Sequence, residues 1–167
     1  MPEVTLQRAG PEKARAIANL FQLYVHDFTD FWTERRVEIG EDGRFPPYPP
    51  LESFWREPGR SAWLIRADGQ IAGFVLLNDF SHSGEPLDHS VAEFFVARHY
   101  RREGVGRAAA LETISTRPGQ WEIAVARKNA GALAFWREVA EAAAAGPVEE
   151  RDQQDERWDG AILRFRV

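Results

Sequence analysis

VAEFFVARHYRREGVGRAAA, residues 91–110, decides how the rest of the chain is read. Residues 91–96 are β-branched and aromatic, with one charge, and predict a short strand. Residues 97–103 form a polar, basic connector, and from Gly104 the sequence becomes an alanine-rich helix former. The stretch therefore predicts strand, turn and helix N-terminus. Gly104 and Gly106 lack a Cβ, so a ligand can come close to the backbone. First-turn amides have no partner inside a helix, and the helix dipole adds positive charge beside them. Such an end suits a phosphate or diphosphate. Arg101, Arg102 and Arg107 add positive charge locally in a chain whose net charge is -5.

Several readings of this turn compete. No Gly-x-x-x-x-Gly-Lys-Ser/Thr occurs, which excludes a P-loop. Gly104-x-Gly106-x-x-Ala109 fits a loose dinucleotide fingerprint, with Glu122 lying downstream, where that motif carries an acidic residue. That motif places its first glycine directly after the strand, however, and here the connector intervenes. A solvent-facing arginine loop ahead of an ordinary helix is the plainest alternative. Arg101-x-x-Gly104-x-Gly106, following an apolar strand that ends at Val96, resembles the Arg/Gln-x-x-Gly-x-Gly/Ala segment of the GNAT N-acetyltransferase family.

A second match follows at residues 121–136, WEIAVARKNAGALAFW. Residues 122–126 predict a strand with Ile123 and Val125 on one face. Asn129 is a favourable helix N-cap, and Leu133, Phe135, Trp136 and Val139 follow it at helical spacing. Asn129-x-x-Ala132-x-x-Phe135-Trp136 is similar to the next element of the same family. The resemblance spans about residues 91–139. It implies an α/β (α+β) fold with a single mixed, mostly antiparallel sheet, helices on both faces, and acyl-CoA lying where the fourth and fifth strands splay apart. It implies acetyl-CoA as the acyl donor. Phe94, Phe95 and Val96 would then present the strand edge that pairs with pantetheine, an N–H near Phe95 or Val96 facing the thioester carbonyl. Arg101, Arg102, Glu103, Gly104, Val105, Gly106 and Arg107 would form the diphosphate turn, with Asn129, Ala132, Phe135 and Trp136 along the cofactor. Trp136 stands where many relatives carry a tyrosine that protonates the departing thiolate, and an indole N–H is a poor proton source.

Bulk properties bound the alternatives. A chain of 167 residues and 19.0 kDa, 44% hydrophobic and 28% charged, reads as one domain over 1–167 with ample core. A pI near 5.4 argues against a general nucleic-acid binder. No apolar run is long enough to span a bilayer, and the first residues have no signal-peptide core. Cysteine is absent, so a thiol nucleophile and thiolate metal sites are excluded. His26, His82, His89 and His99 show no metal-ligand spacing. The expectation is a cytoplasmic enzyme, monomer or homodimer, touching neither nucleic acid nor membrane.

In order, the patterns predict a strand over 4–8 and an amphipathic helix over 13–25. An ordered, aromatic-rich loop follows over 26–50, then a short helix over 51–57. Strands over 61–66 and 70–77 are joined through Asp68-Gly69, a hairpin signal, and a polar loop over 79–88 holds His82 and Gly84. The last helix is expected to run to residue 145, followed by strands over 148–151 and 161–167. An ammonium acceptor has a reference pKa of about 10.4, so transfer to nitrogen calls for a base. Glu93 is the candidate, since alternation puts it on one face with Val91 and Phe95. Pairing of Glu93 to an arginine is the competing reading. Tyr24, Asp27 and Trp32, with Phe31, Phe45 and Tyr48 nearby, mix rings and a carboxylate suited to a cationic amine. Taken singly, each of these rings is better read as loop core. The leading reading is acetyl transfer from acetyl-CoA directly to a primary amine of a small molecule or peptide. A non-catalytic acyl-CoA sensor and a nicotinamide oxidoreductase are the alternatives.

Overall fold

The computed structural model describes residues 1–31, 37–47 and 51–167. Its strands are β1 (Val4–Ala9), β2 (Ser61–Ala67), β3 (Gln70–Asn78), β4 (His89–Val96), β5 (Gln120–Ala126), β6 (Glu149–Gln154) and β7 (Asp159–Arg166). The helices are α1 (Ala14–Phe28), α2 (Ser53–Arg56), α3 (Val105–Ser115) and α4 (Ala130–Ala143). All seven strands join one sheet in the order β1-β2-β3-β4-β5-β7-β6. Only the β4–β5 pair is parallel; every other neighbouring pair is antiparallel. This is the mixed, helix-flanked sheet that the resemblance implies.

Period-two burial along the strands makes two cores. Phe74 and Leu76 of β3 face α1 and α2, where they pack with Ile17, Phe21, Val25 and Phe54. Val75 and Leu77 face the other way, onto α3 and α4 and the row Trp121, Ile123, Val125 of β5. The helix α3 buries Val105, Ala109, Ala110 and Ile114 in the core it shares with α4 and the sheet. The amphipathic α1 buries only the stripe Ile17, Phe21, Val25.

Several boundaries depart from those the sequence predicts. The first helix starts after a 3-10 turn at Pro11–Lys13 and continues to Phe28, because Val25 and the Tyr24–Phe28 ring contact keep its last turn packed. The last helix ends at Ala143; the Ala145 amide instead donates to the Arg166 carbonyl at 2.8 Å, drawing the chain into an extended path. The final hairpin is longer than predicted. The edge strand β6 is polar, EERDQQ, and its backbone ladder to β7, not its composition, makes it a strand. Asp155 closes that hairpin by accepting the amides of Arg157 (2.8 Å) and Trp158 (3.1 Å). The Asp68-Gly69 turn forms as predicted, both residues left-handed at φ 47° and 78°.

Candidate active site

The sheet opens at β4 and β5. Among the described residues these strands pair only at His89–Trp121 and Ser90–Glu122, and from Val91 onward β4 has no strand partner on that side. The Ala97 amide donates to the Ala72 carbonyl on β3 at 2.8 Å. Peptide groups alternate along a strand, so Phe95 also faces β3 while Phe94 and Val96 turn their N–H and C=O groups toward the opening. Of the two residues expected to offer an N–H there, Val96 is placed to do so and Phe95 is committed to the ladder. A bulge interrupts β4, since Leu76 pairs with Glu93 but Leu77 pairs with Val91, leaving Ala92 over. The expected alternation is therefore broken. Val91 packs toward α3 and α4, whereas Ala92 and Phe95 pack toward α1.

On the α1 side, Glu93 accepts a 2.5 Å hydrogen bond from the Tyr24 hydroxyl. The Tyr24 ring is held among Phe21, Phe28, Phe74 and Phe95, with centroids 4.5 to 6.0 Å away. Asp27 is arranged otherwise than an amine trap requires. It is ion-paired with Arg101 and, at 3.2 Å, with Arg98, so its charge is already answered. Phe45 is buried core, as the plainer reading has it. Trp32 and Tyr48 lie outside the described residues.

At the mouth of α3 the chain is left-handed at Arg102 (φ 67°) and at Gly104 (φ 80°). Two such residues within three turn the chain so that successive amides converge, as in an anion nest. The first ladder bond at this end runs from the Ala108 amide to the Gly104 carbonyl at 3.0 Å, which leaves the Val105, Gly106 and Arg107 amides without helical acceptors. The arginines contribute less than their number suggests. Arg101 folds back, donating from Nε to the Val96 carbonyl at 2.7 Å and from Nη2 to Asp27. Arg107 pairs with Glu138 on α4 at 2.8 Å. Arg102 and Glu103 are exposed, and Arg102 has no ion pair among the described residues. Main-chain donors, more than side-chain charge, characterise this turn.

Across the opening, Phe94 packs on Phe135 (5.8 Å) and Trp136 (5.1 Å), and the last two meet at 4.9 Å. Trp136 is 7% exposed and belongs to the core, while Phe135 is half-buried. Asn129 occupies the N-cap of α4 without the side-chain cap bond that its residue type predicts; its carbonyl instead accepts from Ala132 at 3.1 Å and Leu133 at 3.3 Å. Its side chain and that of Ala132 are half-buried at this end of α4.

Sequence reading missed the anchor of the 79–88 loop. Glu122, the downstream acidic residue of the dinucleotide reading, is fully buried and bound at 2.5 Å to Arg164. It also accepts the His82 amide (2.7 Å), the Ser83 amide (3.2 Å) and the Ser83 hydroxyl (2.6 Å). Burial pushes the Glu122 carboxyl up, but these bonds together hold it below the usual carboxylate value. Burial pushes the His82 imidazole down, against the pull of Glu122. Trp158 and Phe80 stack edge-on against His82 at 4.5 and 4.9 Å. A lone charge in the apolar row of β5 was the available signal.

The acetyltransferase (GNAT) family model matches residues 17–140. The chain belongs to the GNAT family of acetyltransferases. GNAT enzymes use acetyl-CoA as the acyl donor. Solved structures agree in fold. An acetyltransferase from Thermus thermophilus superposes with a TM-score of 0.67 at 14% identity, covering 99% of this chain and 97% of that one. The aminoglycoside acetyltransferase AAC(6')-Ib, in complex with coenzyme A, gives 0.69 at 8% identity, covering 98% and 95%. The PaiA N-acetyltransferase of Thermoplasma acidophilum, also in complex with coenzyme A, gives 0.60 at 11% identity, covering 99% of each chain. No curated protein matches the sequence. Among the described residues no helix is long and apolar enough to cross a membrane. GNAT membership also removes the nicotinamide alternative, in agreement with the burial of Glu122.

Proposed function

We propose that this GNAT protein is an N-acetyltransferase, a single-domain cytoplasmic enzyme that moves an acetyl group directly to a primary amine of a small molecule or peptide. The observation that carries this reading is the open edge of β4, with Glu93 on its α1 side and a helix mouth of unpaired amides at its end. The amides of Val105, Gly106 and Arg107 suit a diphosphate. Phe94, together with the Val96 N–H, offers strand-edge groups to an extended amide chain. Asn129, Ala132 and Phe135 line the α4 side. When bound, acetyl-CoA supplies the acetyl group as an activated thioester. The Val96 N–H faces the side on which carbonyl charge would grow, and a fixed donor stabilises such charge. Glu93 receives a proton from the amine, which needs a base because its ordinary pKa is about 10.4. With no cysteine in the chain, direct attack by the amine needs no thiol nucleophile.

Support for the fit comes from Gly106. A Cβ built there would lie 3.6 Å from Val96 and 3.7 Å from Phe135, in ordinary contact, at the edge of the opening. Gly106→Ala should therefore fold as well as the native chain, since alanine favours a helix over glycine by about 0.5–1 kcal/mol. It should still weaken coenzyme A binding at least tenfold, about 1.4 kcal/mol, by putting a methyl group into the opening between Val96 and Phe135. Titration calorimetry checks this, and an unchanged affinity would place the diphosphate elsewhere. Release of free thiol from acetyl-CoA with a panel of primary amines tests the activity itself. Binding with no turnover on any amine would favour an acyl-CoA sensor.

A further inference from the structure

We infer that Tyr24 is the acid that protonates the departing sulfur, working as one unit with Glu93; this rests on the acetyl-transfer reading above. A thiol of pKa about 8.5 leaves as thiolate and must gain a proton near neutral pH, while the amine must lose one. A carboxylate hydrogen-bonded to a phenol can take the amine's proton and give one to sulfur. Tyr24 and Glu93 are such a pair, at 2.5 Å on the α1 side of the open strand. The helix α4 offers no hydroxyl here, because Trp136 is packed against Phe94 and Phe135. The other described tyrosine, Tyr100, packs against His99 and the α3–α4 core. The phenylalanines around Tyr24 fix its ring, so its hydroxyl is aimed without further ordering.

The protons balance. The ammonium gives its first proton to a Glu93 oxygen, and the amine nitrogen uses the freed pair to form the new carbon–nitrogen bond. As the carbon–sulfur bond breaks, its electron pair stays on sulfur. The second nitrogen proton goes to solvent, the phenol proton goes to sulfur, and the phenolate takes the Glu93 proton across their shared hydrogen bond. The pair ends as it began.

The test is Tyr24→Phe, which keeps the ring and removes the hydroxyl. With acetyl-CoA, kcat is expected to fall about 100-fold, the size of a lost general acid, with coenzyme A affinity by calorimetry unchanged. With an aryl thioester donor, whose thiol is far more acidic, the loss should shrink to roughly threefold or less, since little acid help is needed. A role confined to positioning Glu93 would slow both donors equally. A second readout needs no turnover. In protein carrying 13Cζ-tyrosine, the Tyr24 resonance, assigned by its absence in the variant, should move on adding coenzyme A and stay put with desulfo-coenzyme A. Equal losses with both donors, or equal shifts with both ligands, would overturn the inference while leaving acetyl transfer intact. If the native protein neither binds coenzyme A nor acetylates any amine, the acetyl-transfer reading fails and this inference with it.

Discussion

Alanine at Glu122 is expected to destabilise the fold by about 3–5 kcal/mol, the cost of breaking a buried ion pair from one side. Glu122 is fully buried and Arg164 is 8% exposed, so the substitution leaves the guanidinium with the half-exposed Glu85, at 3.2 Å, to answer its charge. It also removes the acceptor for two amides and a hydroxyl of the 79–88 loop. Glu122→Gln should cost less than alanine, because its remaining oxygen keeps an acceptor for the loop amides, although the charge and the second acceptor are lost. Urea unfolding at neutral pH measures both. A loss under about 1 kcal/mol for the alanine variant, the size of an exposed pair, would mean that the anchor is solvated. The pH dependence follows from the same groups. His82 has a folded pKa below its ordinary 6.5 and Glu122 one below its ordinary 4.5. In each case the unfolded chain takes up protons that the folded chain refuses. Stability is thus fully present above pH 6.5. It should decline as pH falls toward the folded value of His82, and decline further below 4.5 as Glu122 is protonated. His82→Gln should flatten the first decline and keep the second.

For Glu93→Gln, kcat is expected to drop by roughly 10²- to 10³-fold with any amine the native protein accepts, in the range of a lost general base. Coenzyme A affinity should not change, because Glu93 lies on the α1 side of β4 and the helix mouth lies beyond its end. The near-isosteric amide still accepts from Tyr24, so stability should shift little. Two readouts separate chemistry from damage: calorimetry for coenzyme A and steady-state rates across pH. The native rate should rise with pH as the amine deprotonates. The variant should recover partly at high pH, where free amine no longer needs a protein base. A variant as fast as the native enzyme at neutral pH would leave Glu93 a structural partner of Tyr24 and remove it from catalysis.

Residues 91–110 were legible because their signals are local. A β-branched run, two glycines and an alanine tract specify strand, turn and helix wherever they occur. The second match, from Asn129 to Trp136, is likewise a pattern of near neighbours, and so is the Asp68-Gly69 turn. These stretches carry the family and the open-edged sheet with them. Less was legible wherever a side chain chooses its partner from a distant element. Arg101, Arg102 and Arg107 look alike in sequence, yet Arg101 is drawn to Asp27 and the Val96 carbonyl, and Arg107 to Glu138.

The amino-acid order by itself determined the element types other than the polar edge strand β6, the glycine-opened helix mouth and one carboxylate in the strand beside it, since each depends on residues within a few positions. Only the tertiary structure decided which way that carboxylate points. A bulge at Ala92 arises from register against β3, and register is a property of two strands together. The same holds for Tyr24, brought to Glu93 by the packing of α1 on the sheet, and for Glu122, whose charge is met by Arg164 on a neighbouring strand. Burial and pairing are non-local free energies, so they become readable only when the chain has closed on itself.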